Sequence, residues 1–263
     1  MTKGKERLEI MAQSEEELLK KRLLELADRA YERNQYTFSG FLSPSEVNAF
    51  YEIEGQIAYI DYELSGGVEQ AERVMIRFGS EDMFGYLEEF PIACLIVEPL
   101  IQKFSEALTH RDFLGALMNL GIERSTLGDI AVKKAKAYIF CMDSMAEFIM
   151  ENLTRVKHTH VRCIRSNEIP EEVKPELKEE TILVSSERLD GIIAKAYNLS
   201  RSQAVEIFRE KKVFVDGRLC ENNSRVPKSR EIVSVRGFGK FLYLGREYET
   251  KKGKRAVKIS RYV

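Results

Sequence analysis

The chain has 263 residues, 44% of them hydrophobic and 32% charged, which suits a globular protein of two or three compact units. No apolar run reaches the ~18 residues of a membrane span, and "MTKGKERLEIMAQSEEELLK" lacks a signal-peptide core, so a cytoplasmic protein without a membrane partner is expected. The net charge of −1 conceals an asymmetry: residues 182–263 hold nine Lys and ten Arg against nine acidic residues, a net +10, which leaves −11 for residues 1–181.

A basic third joined to an acidic body points to a polyanionic partner, because clustered cations gain by releasing counterions from phosphates. Cys94, Cys141, Cys163 and Cys220 are widely spread with no C-x-x-C pair, so neither a zinc site nor a disulfide framework is expected. They are read as buried thiols.

At the N-terminus, "SEEELLKKRLLELADRAYERNQ" places Leu18, Leu19, Leu23, Leu26, Ala27 and Ala30 at helical spacing, with Ser14 as N-cap. "FLSPSEVNAFYEI" predicts a short second helix, with Ser43 capping, Pro44 at the first position and Glu46 completing a capping box. "GQIAYIDYEL" is strand-like, and "SGGVEQAERVMIRFG" turns at Gly66-Gly67 towards a strand near Val74–Phe78.

The middle alternates. A strand at "IACLIVEP" precedes a helix at "LTHRDFLGALMNLG", where Thr109 and Asp112 form a capping box and Gly121 a C-cap. Strands at "GDIAV" and "KAYIF", a helix at "DSMAEFIMENL" and a strand at "HTHVRCIRS" follow. With the strand before Gly79 included, the order is β-β-α-β-β-α-β, an antiparallel sheet with two helices on one face. RNA-recognition domains share this topology, but their aromatic RNP pattern is missing, so topology alone assigns no RNA role here. "SNEIPEEVKPELKEET" has no apolar periodicity and reads as a linker, with a boundary near Thr181. The expected division is 1–70, a small helical and mixed region; 71–166, a split βαβ domain; 167–181, a linker; and 182–263, a basic domain ending in a hairpin. The fold class is α+β.

In the basic region, "RLDGIIAKAYNL" puts Leu189, Ile192, Ile193 and Ala196 on one helical face, and Ser200 with Gln203 caps a second helix. "VFVDGRL" is a strand, an Asp-Gly turn and a return strand, and the last hairpin carries Lys251, Lys252, Lys254 and Arg255 at its tip. Arg188 and Arg201 open consecutive helices, and Lys211 and Lys212 follow the second. A compact helix pair is expected to gather all four at one edge, with Ser200 and Ser202 adding hydroxyl donors. Such a set suits phosphate oxygens, since Arg offers bidentate contacts and Lys a point charge.

"RLDGIIAKAYNLSRSQAVEIFREKKVFVDGR" resembles the S4 (alpha-L) RNA-binding domain, whose R-L-D, S-R-S-x-A and V-x-V-[ND]-G elements it carries in order. Where that family usually has Gly-Asp before the last strand, this chain has Arg230-Glu231. "SGGVEQAERVMIRFG" and "LTHRDFLGALMNLGIERSTLGDI" resemble the YlmH family, bacterial proteins with an N-terminal region, an RRM-like middle domain and a C-terminal S4 domain. The resemblance implies a non-enzymatic, monomeric protein engaging rRNA and tRNA on the large ribosomal subunit, with ribosomal proteins as further contacts. Relatives are linked to rescue of large subunits stalled with peptidyl-tRNA, and to a cell-division gene neighbourhood. The RNA-contacting set then expected is Arg188, Asp190, Ser200, Arg201, Ser202, Gln203, Lys211, Lys212, Arg218, Lys251, Lys252, Lys254 and Arg255.

Other classes were weighed on the same residues. In pseudouridine synthases a catalytic Asp also follows Arg-Leu, but here Gly191-Ile192-Ile193 continues into an amphipathic helix, so Asp190 reads as a support for the first turn or for Arg188. "RGFGKF" lacks the third glycine and following helix of a methyltransferase loop. His110 with Asp112 reads as a capped helix rather than an acid–base pair, and Arg111 and Arg124 as secondary RNA contacts or surface charge. His158 and His160 share a strand face without a third ligand nearby. Phe241, Tyr243 and Tyr248 fit a core better than base stacking. No catalytic residue, metal or cofactor is expected. The remaining alternatives are an RNA-modifying enzyme with its site in residues 1–165 and a scaffold for division proteins.

Overall fold

The computed structural model describes residues 2–101, 106–133, 136–174 and 176–262. The chain divides into two compact units, Met1–Lys174 and Pro175–Val263. Helices and strands are combined in both, and the molecule is α+β.

In the first unit, α1 (Thr2–Arg33) lays Leu23, Ala27 and Ala30 against Val47, Phe50 and Ile53 of α2 (Pro44–Ile53). These are one helical stripe, each fully buried large side chain contributing about 1.5–3 kcal/mol. Ser14 is interior to α1 rather than its cap, and Leu18, expected in the core, is 68% exposed. The Ser43–Glu46 capping box and Pro44 start α2 as their spacing predicts. β1 (Thr37–Phe38), β2 (Tyr62–Ser65) and β3 (Met75–Phe78) form an antiparallel sheet in the order β1-β3-β2, followed by α3 (Glu81–Phe84).

β3 corrects an expectation. It is the strand before Gly79, counted from sequence with the middle sheet, yet it pairs on both sides within the N-terminal one. All four of its residues are buried, so local pattern marks a strand but not its partners. The expected boundary at residue 70 therefore cuts between two paired strands.

The middle sheet contains β4 (Ile92–Pro99), β5 (Leu127–Lys133), β6 (Lys136–Met142), β7 (Arg155–Val156) and β8 (Thr159–Ser166), in the order β5-β6-β4-β8-β7 with every pairing antiparallel. With α4 (His110–Asn119) after β4 and α5 (Asp143–Asn152) after β6, the chain runs β-α-β-β-α-β, the split βαβ order, with a short β7 added before the last strand. Both helices cover one face, where Leu95, Val97, Phe113, Leu117, Ile139 and Ile149 meet. On the other face Tyr138 and Phe140 are closed over by Val68 and Val173. Gly67 makes that approach possible: at φ 83°, a Cβ there would lie 2.9 Å from the Phe140 ring.

Arg73 joins the two sheets of this unit. Its guanidinium donates to the carbonyls of Phe41 (2.7 Å), Arg124 (3.1 Å) and Leu127 (2.9 Å), and Asp129 accepts the backbone N–H groups of Glu72 and Arg73. Residues 1–70 and 71–166 thus fold as one unit.

The second unit begins with β9 (Leu177–Val184), then α6 (Leu189–Ala196), α7 (Arg201–Arg209), β10 (Val213–Val215), β11 (Arg218–Leu219), β12 (Ile232–Val235), β13 (Gly239–Glu249) and β14 (Arg255–Tyr262). Its six-stranded sheet has the order β11-β10-β12-β13-β14-β9. Leu189, Ile192, Ile193, Ala204, Ile207 and Phe208 pack the helices onto Val213, Val233, Phe241 and Val257. Asp216 and Gly217, at φ 49° and 77°, make the two-residue turn that their sequence predicts.

The expected linker 167–181 is shorter than its composition suggests. From Leu177 the chain is strand, paired along β14 from Leu177↔Tyr262 to Val184↔Arg255; Pro175 lies outside the described residues. β9 is an edge strand whose Lys178, Glu179 and Glu180 are polar, so no apolar alternation announced it. Ion pairs of Glu179 with Lys258 (2.7 Å) and of Glu180 with Arg261 tie it down instead.

Candidate nucleic-acid interface

The expected contact residues centre on the starts of α6 and α7. Arg188 is the N-cap of α6 and makes no side-chain cap; the first free N–H groups, of Leu189 and Asp190, donate instead to the carbonyls of Arg225 (2.9 Å) and Asn223 (3.1 Å). That helix end is therefore closed by its own chain. α7 is closed by its capping box: Ser200 Oγ accepts from Gln203 N at 3.2 Å, and Gln203 Oε1 accepts from Ser200 N at 2.8 Å. Ser200 and Gln203 hold the helix, while Ser202 stays exposed beside them, its Oγ 3.0 Å from Ser200 Oγ.

Asp190 lies beneath both arginines and is 1% exposed. Its Oδ1 accepts Gly191 N–H at 2.8 Å, and its Oδ2 accepts Arg188 Nη2 at 3.4 Å and Arg201 Nε and Nη2 at 3.3 Å each. Arg188 Nε also lies 3.4 Å from Oδ1, at an angle that makes no hydrogen bond. Both carboxylate oxygens are thus engaged in holding two guanidiniums, each still facing solvent, Arg201 at 65%. A buried carboxylate of this kind orients arginines and leaves their outer N–H groups free for a second anion.

Glu187 repeats the device one turn earlier. Its Oε2 accepts the Tyr243 hydroxyl at 2.9 Å, and its Oε1 lies 3.4 Å from Arg255 Nη1 and 3.9 Å from Arg246 Nη1. Burial, and secondarily the Glu187 carboxylate, hold the Tyr243 hydroxyl well above the ordinary tyrosine range. The β13–β14 turn thus joins the helix starts, with Arg255 at Glu187 and Lys254 lining a cleft beside Arg201 and Lys195. Lys251 and Lys252 are exposed in that turn. Among the described residues, none of Lys195, Lys251, Lys252 and Lys254 has a carboxylate within ion-pair distance.

Three expected members lie elsewhere. Lys211 and Lys212 follow the far end of the nine-residue α7, so about 13 Å of helix separates them from Arg201. Each has an acidic neighbour, Glu221 at 3.5 Å and Glu210 at 2.6 Å. Arg218 is on β11, four strands across the sheet from β14, roughly 19 Å. The expectation that Arg188, Arg201, Lys211 and Lys212 share one edge is therefore corrected, because Lys211 and Lys212 follow the opposite end of α7 from Arg201.

Lys195, Arg246 and Glu187 belong to this surface and were missed. A signal existed for Lys195, which follows Arg188 by seven residues, two helical turns. Arg246 needed the strand register. The Arg230-Glu231 departure keeps its turn: Arg230 adopts φ 70°, where glycine is favoured, and Glu231 accepts Lys228 N at 2.9 Å and Arg225 Nη2 at 2.6 Å. Phe241 and Tyr243 are core, while Tyr248 is 56% exposed. Arg124 donates to Leu127 and Gly128 carbonyls within its own loop, a structural role. Among the described residues, no group of three His, Cys, Asp or Glu side chains is placed to hold a metal, and no helix is long and apolar enough to cross a membrane.

Comparison with known proteins places two family models on the first unit. Residues 15–83 match "YlmH, N-terminal" and residues 87–169 match "Putative RNA-binding domain in YlmH", together more than half of the chain. The Bacillus subtilis (strain 168) protein named "Ribosome-associated protein quality control protein P2" is 28% identical over 234 residues, which is 88% of this chain and 89% of that protein. A solved structure described as "Cell division protein ylmH from Streptococcus pneumoniae" is 20% identical, with a TM-score of 0.47, and covers 58% of this chain and 91% of its own.

Proposed function

The chain belongs to the YlmH family, and from that premise we propose that it is an RNA-binding protein that grips structured rRNA and tRNA on the large ribosomal subunit and acts by binding rather than by chemistry. The observation that carries this reading is the arginine array, in which Asp190 holds Arg188 and Arg201 and Glu187 holds Arg255, with Arg246 beside it on Glu249. Guanidiniums fixed in advance lose less freedom on meeting phosphate than mobile ones, and the +10 charge of residues 182–263 supplies the long-range attraction. The helix pair, hairpin and basic tip suit the S4-type module that the sequence resembles, and the name borne by the Bacillus subtilis relative supports a place in quality control of stalled complexes. The acidic first unit then meets ribosomal proteins, and the protein works as a cytoplasmic monomer.

The double variant Arg188→Ala/Arg201→Ala tests this directly. It should lose roughly tenfold or more of its affinity for isolated large subunits, since each phosphate contact removed lowers binding at fixed salt. Unchanged co-sedimentation of a folded double variant would overturn the reading. Nucleoside mass spectrometry of rRNA and tRNA incubated with the protein should show no new modification.

A further inference from the structure

The surface between α6 and the β13–β14 turn is concave. Residues at the end of β9, along α6 and in that turn enclose a cleft of about 450 Å³, within the ~300–1,000 Å³ of small-molecule sites. Its lining combines apolar Gly191, Ala194 and Leu199 with the cations Lys195, Arg201 and Lys254, and polar Ser185, Ser186 and Asn198 complete it. Gly191 adds no side chain to the cleft; a Cβ there would meet only the Ser186 carbonyl, at 3.5 Å.

Arg201 is fixed by Asp190 from below, and Lys195 and Lys254 have no carboxylate partner among the described residues, whereas Lys211 and Lys212 are each beside a glutamate. Two of the three cations that line this partly apolar hollow therefore have no carboxylate beside them among the described residues.

A fully paired helix offers such a hollow little, because it presents phosphates on a convex surface and keeps its base faces stacked. An unpaired nucleotide offers a flat apolar face to Ala194 and Leu199 and a phosphate to the cations beside them. We propose that this cleft seats one unpaired nucleotide of the bound RNA, its base against Ala194 and Leu199 and its phosphate on Lys195, Arg201 and Lys254. The inference rests on the RNA-binding reading above and adds a preference that phosphate contacts alone do not supply.

Two RNA duplexes of equal length, one fully paired and one with a single bulged nucleotide, titrated against the full chain by fluorescence anisotropy, test it. The wild type should bind the bulged duplex about fivefold more tightly, the gain expected from burying roughly 40 Å² of apolar surface. Ala194→Leu, which places a larger side chain in the lining, should abolish the preference and leave affinity for the paired duplex within about twofold. Should thermal melting show that variant misfolded, Lys195→Ala at an exposed position should still weaken the bulged complex more than the paired one. Equal binding of both duplexes by the wild type, or a preference that survives both substitutions, overturns the proposal. Displacement of the bulged duplex by about 1 mM AMP or UMP, far below the weak binding a lone nucleotide should show here, would assign the cleft to a free nucleotide and overturn the RNA-borne assignment. Failure to bind either duplex would count against RNA binding itself, an outcome distinct from equal binding.

Discussion

At the scale of single residues, two carboxylates three positions apart organise the cationic surface. Asp190 is the more consequential, since it is buried and joins the starts of both helices. Asp190→Asn keeps the shape and removes the charge, turning an amide donor towards two guanidiniums. Unfolding free energy should fall by about 1.5–3 kcal/mol, the range of a hydrogen bond to a charged group, and denaturant titration would measure it. RNA affinity should fall as well, because Arg188 and Arg201 lose their common anchor. Retained affinity in a folded Asp190→Asn protein would show that the arginines need no such support. The Arg-Leu-Asp triplet could be assigned to positioning from sequence because an amphipathic helix continues from it. That its aspartate also reaches Arg201, eleven residues on, could not be read locally.

At the scale of elements, caps and turns were legible and pairings were not. The boxes at Ser43–Glu46 and Ser200–Gln203 depend on residues three apart, and so does Asp112 at the start of α4. The Lys157 ammonium 2.8 Å away, followed by the N–H and hydroxyl of Thr109, draws the Asp112 carboxyl down to about 2. A group depressed on folding stabilises the native state above its unfolded pKa, near ~3.9, and loses that contribution as pH falls towards the folded value. NMR titration should therefore find Asp112 ionised at pH 3, and Asp112→Asn should reduce the acid sensitivity of stability between about pH 4 and pH 2. An Asp112 that titrates near 4 would refute the cap and ion pair together. β3 and β9 were misplaced for the complementary reason: one is buried throughout and the other carries polar Lys178–Thr181 through its first half, so neither shows the alternation that reveals a half-covered strand.

At the scale of the whole molecule, charge is the governing quantity. The basic residues of 182–263 are offset by an acidic remainder, which limits indiscriminate attraction to nucleic acid while leaving one strongly cationic unit. If the arginine array and the turn lysines together neutralise about four to six phosphates, log K against log salt should have a slope of roughly −3 to −5. Arg188→Ala should make that slope shallower by about one, whereas Lys211→Ala, beside Glu221 and away from the cleft, should leave it almost unchanged. A slope near zero in the wild type would remove phosphate contact as the source of affinity.

The amino-acid sequence by itself determined the α+β class, the capping boxes that start α2, α4 and α7, the Asp-Gly turn, the charge division and the two arginines at the helix starts. Each rests on neighbours within one or two turns or on composition, and such information survives without a fold. Tertiary structure alone decided that β3 belongs to the N-terminal sheet, that the linker is mostly an edge strand, and that Lys254 and Arg255 meet Arg201 and Glu187 while Lys211, Lys212 and Arg218 do not. Those relations are fixed by strand order and by burial of one helix face against a sheet. Residues some sixty positions apart become neighbours only when that burial is complete.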